Sequence, residues 1–299
     1  MLWKLIFARM RKVYLLTTAH LEDRLWFREE EDFWVGMNYV AIESACRKEV
    51  GVLAFVLMSN HLHFVLRGYP EDVLLFVNRL KHRYALYYRR KYGVKEFLRG
   101  NGVDIRPVPY EDEAVERAVA YVQVNPVAAN ICSHPSQYPW GSGNCFFSVS
   151  RPEGRPVKDF SIRALNRLLH SFCPSLPSKW RIGTDGYILP SSYVDVEDVE
   201  ACFRTPKRMN FFLSNSSKAR KRMESADANL PAFRDQTILT ALPELCRSLF
   251  GKETFNALQA DEQTELARQL RLRFSSDANQ IARVCGLTYS DAARLLDRL

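Results

Sequence analysis

The chain has 299 residues, 47% of them apolar and 25% charged, which is room for two cores of ordinary globular composition. No run of about 18 uncharged apolar residues occurs, which excludes a helical membrane span, and the opening Met1-Leu-Trp-Lys-Leu-Ile-Phe-Ala-Arg9 lacks the pattern of a signal peptide. A net charge of +8 favours polyanionic partners, while seven scattered cysteines without a C-x-x-C pair exclude a zinc knuckle or disulfide framework and read as buried thiols in a reducing cytoplasm.

Residues 13–19, Val-Tyr-Leu-Leu-Thr-Thr-Ala, are β-branched and aromatic enough for a first strand. Residues 30–47 predict a helix, with apolar positions at Phe33, Trp34, Met37, Val40, Ala41 and Ala45. Gly51 precedes a continuous apolar run over 52–58 that suits a buried central strand. After Ser59-Asn60 a second run, 61–67, follows so closely that a hairpin is the simplest connection. Residues 71–92 place Val73, Val77, Leu80, Tyr84 and Tyr87/Tyr88 at steps of three and four, the mark of a long amphipathic helix. Asn101-Gly102 is a turn, and 103–109 makes an edge strand limited by its prolines. Residues 111–125 return to helix, with Glu111, Asp112 and Glu113 at its positive end.

This order predicts an α+β chain: a ferredoxin-like βαββαβ domain with one added helix, over residues 1–150. Ser, Pro and Gly in 133–156 mark its boundary. Residues 151–235 form an intermediate region without a functional signature, with a helix at 161–171 and an exposed basic stretch at 214–225. A mainly helical domain then runs from 236 to 299.

Two constellations carry chemistry. In His61-Leu62-His63 the side chains alternate, so both imidazoles face one way, about 6–7 Å apart by strand rise, and can chelate one metal ion. Two solvated histidines on an edge face would satisfy the same pattern. In Tyr121-Val-Gln-Val-Asn125-Pro126, residues four apart share a helix face, and Pro126 should end or kink the helix and turn the Asn125 amide oxygen outwards. A capping Asn beside a half-buried core Tyr is the plainer alternative.

Taken together, these motifs resemble the single-tyrosine HUH transposases, and within them the REP-associated tyrosine transposases. The likeness runs through Ser59-Asn-His-Leu-His-Phe-Val-Leu66, the basic helix, Tyr121-Val-Gln-Val-Asn-Pro-Val-Ala-Ala129 and Pro135-Ser-Gln-Tyr-Pro-Trp-Gly-Ser142, and covers about residues 10–145. Ser59 departs from the Pro usual before Asn-His. The resemblance implies that His61, His63 and Asn125 hold Mg²⁺ or Mn²⁺, and that Tyr121 is a nucleophile cleaving single-stranded or hairpin DNA through a 5′-phosphotyrosine. It further implies a monomer or a homodimer, in which the tyrosine helix can serve the partner's site. A non-catalytic DNA-binding regulator is the alternative. A replication initiator or relaxase is disfavoured, because one tyrosine follows H-x-H here.

Further contacts to DNA are expected from Arg79, Lys81 and Arg83, interleaved with tyrosines that offer stacking faces or core packing. At the C-terminus, Ala278–Leu299 resembles a helix-turn-helix: Gly286 suits the turn, Ala282, Ala292 and Leu295 the inner face, Ser290 the cap, and Arg294 and Arg298 the DNA-facing side. An ordinary packing pair would look the same. Lys218–Arg222 is a weaker candidate for DNA contact.

Overall fold

The computed structural model describes residues 11–21, 24–109, 113–148, 153–173, 176–216, 235–274, 276 and 278–297. Glu111, Asp112, Lys218–Arg222, Arg298 and residues 1–10 lie outside them. Strand β1 (Lys12–Thr18), helix α1 (Glu30–Cys46), strands β2 (Gly51–Met58) and β3 (His61–Gly68), helix α2 (Pro70–Tyr92) and strand β4 (Val103–Pro107) follow in order. The four strands make one sheet, β2-β3-β1-β4, with every neighbouring pair antiparallel. Helices α3 (Ala114–Gln123) and α4 (Asn125–Ala128) come next. The chain is therefore mixed α+β, with a helical C-terminal region.

Helix α1 begins where Glu29 and Asp32 form a reciprocal capping box. The Asp32 carboxylate is fully buried, yet it accepts hydrogen bonds from the Arg28 and Glu29 amides, the Tyr87 and Tyr92 hydroxyls and the Lys91 ammonium. A buried charge is tolerable only when its lone pairs are met in this way. Helix α2 takes Pro70 in its first turn, where an N–H is not needed, and ends at Gly93 in the left-handed region, φ +73°.

Strand β2 is apolar throughout after Gly51 and is buried over that length. Its outer edge is covered by the Tyr-Pro-Trp-Gly-Ser segment at 138–142. The Leu57 amide donates to the Trp140 carbonyl at 2.8 Å, and the Ser142 amide to the Phe55 carbonyl at 3.0 Å. Only glycine fits between them, since a Cβ on Gly141 would stand 2.8 Å from the Phe55 oxygen. The cover removes an open sheet edge that would otherwise template association.

Packing does not break near residue 150. Val157, Leu169, Trp180, Ile188, Phe203 and Leu213 are buried in the same apolar core as the sheet. These residues come from a region holding strands β5 (Gly154–Pro156) and β6 (Arg181–Gly183) and helices α5 (Ile162–Leu168), α6 (Val196–Phe203) and α7 (Pro206–Asn215). Asn38 of α1, itself buried, accepts from the Ile188 amide at 2.9 Å.

A second core gathers residues from helices α8 (Asp235–Phe250), α9 (Ala260–Phe274), α10 (Ala278–Cys285) and α11 (Tyr289–Asp297). Leu25, from the connection between β1 and α1, packs into this second core. Helices α10 and α11 pack through Ala282, Ala292 and Leu295, and Gly286 turns between them at φ +67°. The cap of α11 is Thr288 rather than Ser290: the Asp291 amide donates to Thr288 Oγ1 at 3.1 Å. The helix starts two residues earlier than expected, which leaves Ser290 inside it.

Among the described residues, no helix is long and apolar enough to cross a membrane. The thiols are not uniformly buried: Cys246 and Cys285 are, whereas Cys46 and Cys202 are exposed.

Candidate active site

The turn between β2 and β3 sets the two histidines. Strand alternation puts His61 and His63 on one face, their rings 4.6 Å apart between centroids and nearly perpendicular. Both are buried, at 6% and 1% exposure, so they are not solvated edge residues. Leu62 between them packs into the core on the other side.

Each imidazole is held at Nδ1. Asn60 Nδ2 donates to the Leu21 carbonyl at 3.2 Å, which fixes the amide so that Oδ1 faces His61 Nδ1 at 2.7 Å. An amide oxygen only accepts, so His61 carries its proton on Nδ1 and its lone pair on Nε2, the donor a metal ion requires. His63 Nδ1 lies 2.9 Å from Thr17 Oγ1, a pairing set by the sheet register, in which Thr17 stands opposite His63.

Tyr121 comes from α3, which packs over β2 and β3. Its ring meets His63 edge-on, 5.8 Å between centroids. It also lines a cleft of about 660 Å³ with Thr17, His20, Asp104 and Arg106. Burial pushes its hydroxyl above the ordinary phenol range, Arg106 pulls it down, and Asp104 pushes it up.

Three residues after Tyr121 the helix breaks, and it restarts at Asn125. Val124 is the joint, and Pro126 falls in the first turn of α4, where it is compatible with helix, so Asn125 keeps a helical place despite the proline. Asn125 Nδ2 donates to the carbonyls of Tyr121 (2.8 Å) and Val122 (3.1 Å). The second of these would otherwise lack its Pro126 partner. The side chain is buried, and with the nitrogen turned to the backbone, the oxygen is the opposite end of the amide.

Sequence reasoning missed His20, Thr17 and Arg106. The His20 ring stacks on His61 at 3.7 Å between centroids, 16° from parallel. It lies two residues past the end of β1, and only the pairing of β1 with β3 brings it there. Arg106 and Asp104, ion-paired at 2.7 Å, sit on the edge strand beside β1.

The expected DNA contacts divide. Arg79 is exposed. Lys81 is buried, with its ammonium donating to the Asn101 carbonyl, and burial lowers its pKa. Arg83 donates to the buried Glu43 carboxylate at 3.1 Å and to Ser171 Oγ at 2.7 Å. Lys81 and Arg83 are thus both engaged within the fold, Arg83 with a carboxylate that has been taken out of water. Tyr84, Tyr87 and also Tyr88 are core. Arg294 is exposed and ion-paired with Asp291 at 3.4 Å.

Among the described residues, no three His, Cys, Asp or Glu side chains form a metal-holding group. The two imidazoles stand together, and the Asn125 amide lies one helical turn beyond Tyr121, whose ring meets His63. Compared with known protein families, curated proteins and solved structures, the chain matches none.

Proposed function

We propose that this protein is a DNA nuclease and strand transferase of the single-tyrosine HUH type, acting on single-stranded or hairpin DNA. The observation that carries the reading is the edge contact of Tyr121 with His63, within the paired H-x-H rings and at a cleft lined by an arginine. The β-α-β-β-α-β order with strands β2-β3-β1-β4 supports a ferredoxin-like framework carrying an added tyrosine helix.

In this reading Tyr121 Oη attacks the scissile phosphorus. A phosphorus–oxygen bond to the tyrosine forms as the bond to the 3′ oxygen breaks, leaving a 5′-phosphotyrosine and a 3′-hydroxyl. The number of phosphoester bonds is unchanged, so a 3′-hydroxyl can reverse the step or a new one can replace it without ATP. His61, His63 and the Asn125 oxygen would hold Mg²⁺ or Mn²⁺, which when bound polarises the phosphate and offsets its charge. Asn60 and Thr17 orient the imidazoles. Arg106 faces the same cleft as the nucleophile and favours its anionic form. The exposed Arg79, together with Arg294 on the last helix, would take phosphates outside the cleft.

The test is incubation with labelled hairpin and single-stranded DNA and manganese, read as a covalent protein–DNA adduct. The expected adduct maps to Tyr121 and disappears with EDTA. An adduct on another tyrosine, or one indifferent to chelation, overturns the assignment.

A further inference from the structure

Between the two cores lies a second cleft, of about 300 Å³, that shares no residue with the one beside Tyr121. Arg24, Arg28, Tyr88 and Tyr92 form one side, and α8 and Arg273 of α9 the other. We infer that this cleft binds a nucleoside phosphate, the phosphate at Arg273 and the base against the Arg28–Tyr92 stack.

Arg273 is 2% exposed. Its Nε donates to Gln269 Oε1 at 2.8 Å, but its Nη1 has no hydrogen-bond partner among the described residues. A buried guanidinium N–H without an acceptor is costly, and Arg273 lines a cleft in which an anion would supply one. The opposite wall is flat: the Arg28 guanidinium lies over the Tyr92 ring at 4.4 Å and the Tyr88 ring at 5.5 Å. Planar cation–aromatic stacks accept a further planar ring. Glu244, whose side chain is 61% exposed, pairs only loosely with Arg28 at 3.7 Å and offers carboxylate oxygens to exocyclic amino groups. A bare phosphate would leave the flat wall and the carboxylate unused. The volume is at the lower end of those that enclose small organic ligands.

Such a ligand could be a free nucleotide or one nucleotide of a bound strand, and the experiment separates them. The full-length protein is titrated calorimetrically with AMP, GMP, CMP and TMP, with the matching nucleosides and inorganic phosphate, and with a short single-stranded oligonucleotide. Each titration is repeated on Arg273→Gln and on Thr240→Trp. Thr240 is an exposed residue of α8 that lines the cleft, and tryptophan there fills the cleft while leaving Arg273 in place. If the ligand is free, at least one mononucleotide saturates and weakens tenfold or more in both variants, and nucleosides and phosphate bind at least tenfold less tightly. If it is strand-borne, the mononucleotides fail and the oligonucleotide weakens in both variants. Mononucleotide and oligonucleotide binding that is absent, or unchanged by Thr240→Trp, overturns the inference. So does phosphate binding as tight as nucleotide binding.

Discussion

At the scale of single residues, the site is defined by what holds its side chains as much as by the side chains themselves. Tyr121→Phe removes one oxygen from a ring that keeps its contact with His63. It should abolish covalent DNA attachment and change DNA binding less than twofold, measured by adduct gels and fluorescence anisotropy. Asn60→Ala removes the acceptor that fixes the His61 tautomer. Loss of such an outer partner lowers metal affinity by ~10–100-fold, which titration of Mn²⁺ against cleavage rate, or direct calorimetry, would read. Imidazole donors bind Mn²⁺ less tightly than the later first-row metals but still suit it better than Mg²⁺, so manganese should support the faster reaction at equal concentration. Two of the arginines of α2, Arg83 and Arg79, should behave oppositely. Arg83→Ala uncovers the buried Glu43 carboxylate and should cost about 1–3 kcal/mol of stability, with the salt dependence of DNA binding unchanged. Arg79→Ala should leave stability alone and reduce the slope of log affinity against log salt by about 0.7–0.9.

At the scale of elements, most of the first half was legible because its periodicities are strong. The run of apolar residues in β2, the spacing of α2 and the short turn between β2 and β3 follow from composition alone, and the strands and helices lie within a few residues of the expected bounds. Strands β5 and β6 were not legible, since three residues each are too few for any period to register. Which cations face solvent was equally hidden. Lys81, Arg83 and Lys91 have the same chemistry as Arg79 in sequence, and only the tertiary partners Asn101, Glu43 and Asp32 distinguish them. The histidine pair was legible from strand alternation, whereas His20 required the β1–β3 register. The start of α1 depends on Asp32, which joins its cap to three residues of α2. Asp32→Ala should cost about 3–5 kcal/mol, the range for removing one partner of a buried charge network. Chemical denaturation would check it. A loss under 1 kcal/mol would mean the network merely compensates its own desolvation. At α11, Thr288→Ala should cost about 1 kcal/mol, as loss of a cap does, whereas Ser290→Ala should be nearly silent.

At the scale of the whole molecule, the first core extends to Leu213, so the catalytic unit suggested by the motifs is shorter than the unit that packs. A protein ending at residue 150 would lose Trp180, Ile188, Phe203 and Leu213 from that core and the Asp195 amide from the edge of β2. It should be insoluble or lack a cooperative melt. One ending at 216 should fold and still form the Tyr121 adduct. If the shorter protein melts within a few degrees of the longer one, the 153–216 region is peripheral after all. Removing the second core should also lower DNA affinity if α10 and α11 bind duplex. Among the described residues, ties between the two cores are both polar and apolar: Arg271 Nε donates to the Asn130 carbonyl at 2.7 Å, Arg28 lies 3.7 Å from Glu244 and Arg268 3.9 Å from Glu30, and Leu272 of α9 packs against the first core.

Leu25 crosses the other way, from the first half of the chain into the second core, and this has a mechanical consequence. Its side chain belongs to the C-terminal core, while the backbone amides near it, Leu21 and Trp26, donate to the Asn60 and Ser59 carbonyls at the tip of the histidine hairpin. One short connection is therefore pinned at one end by the C-terminal helices and at the other by the turn that presents His61. Leu25→Ala opens a cavity whose cost, about 2–5 kcal/mol, should fall on both. Amide hydrogen exchange at Leu21, Trp26 and Leu62 should quicken together with that of Leu266 and Ile281. Exchange that quickened only in the helices would mean that the hairpin tip holds its shape on its own.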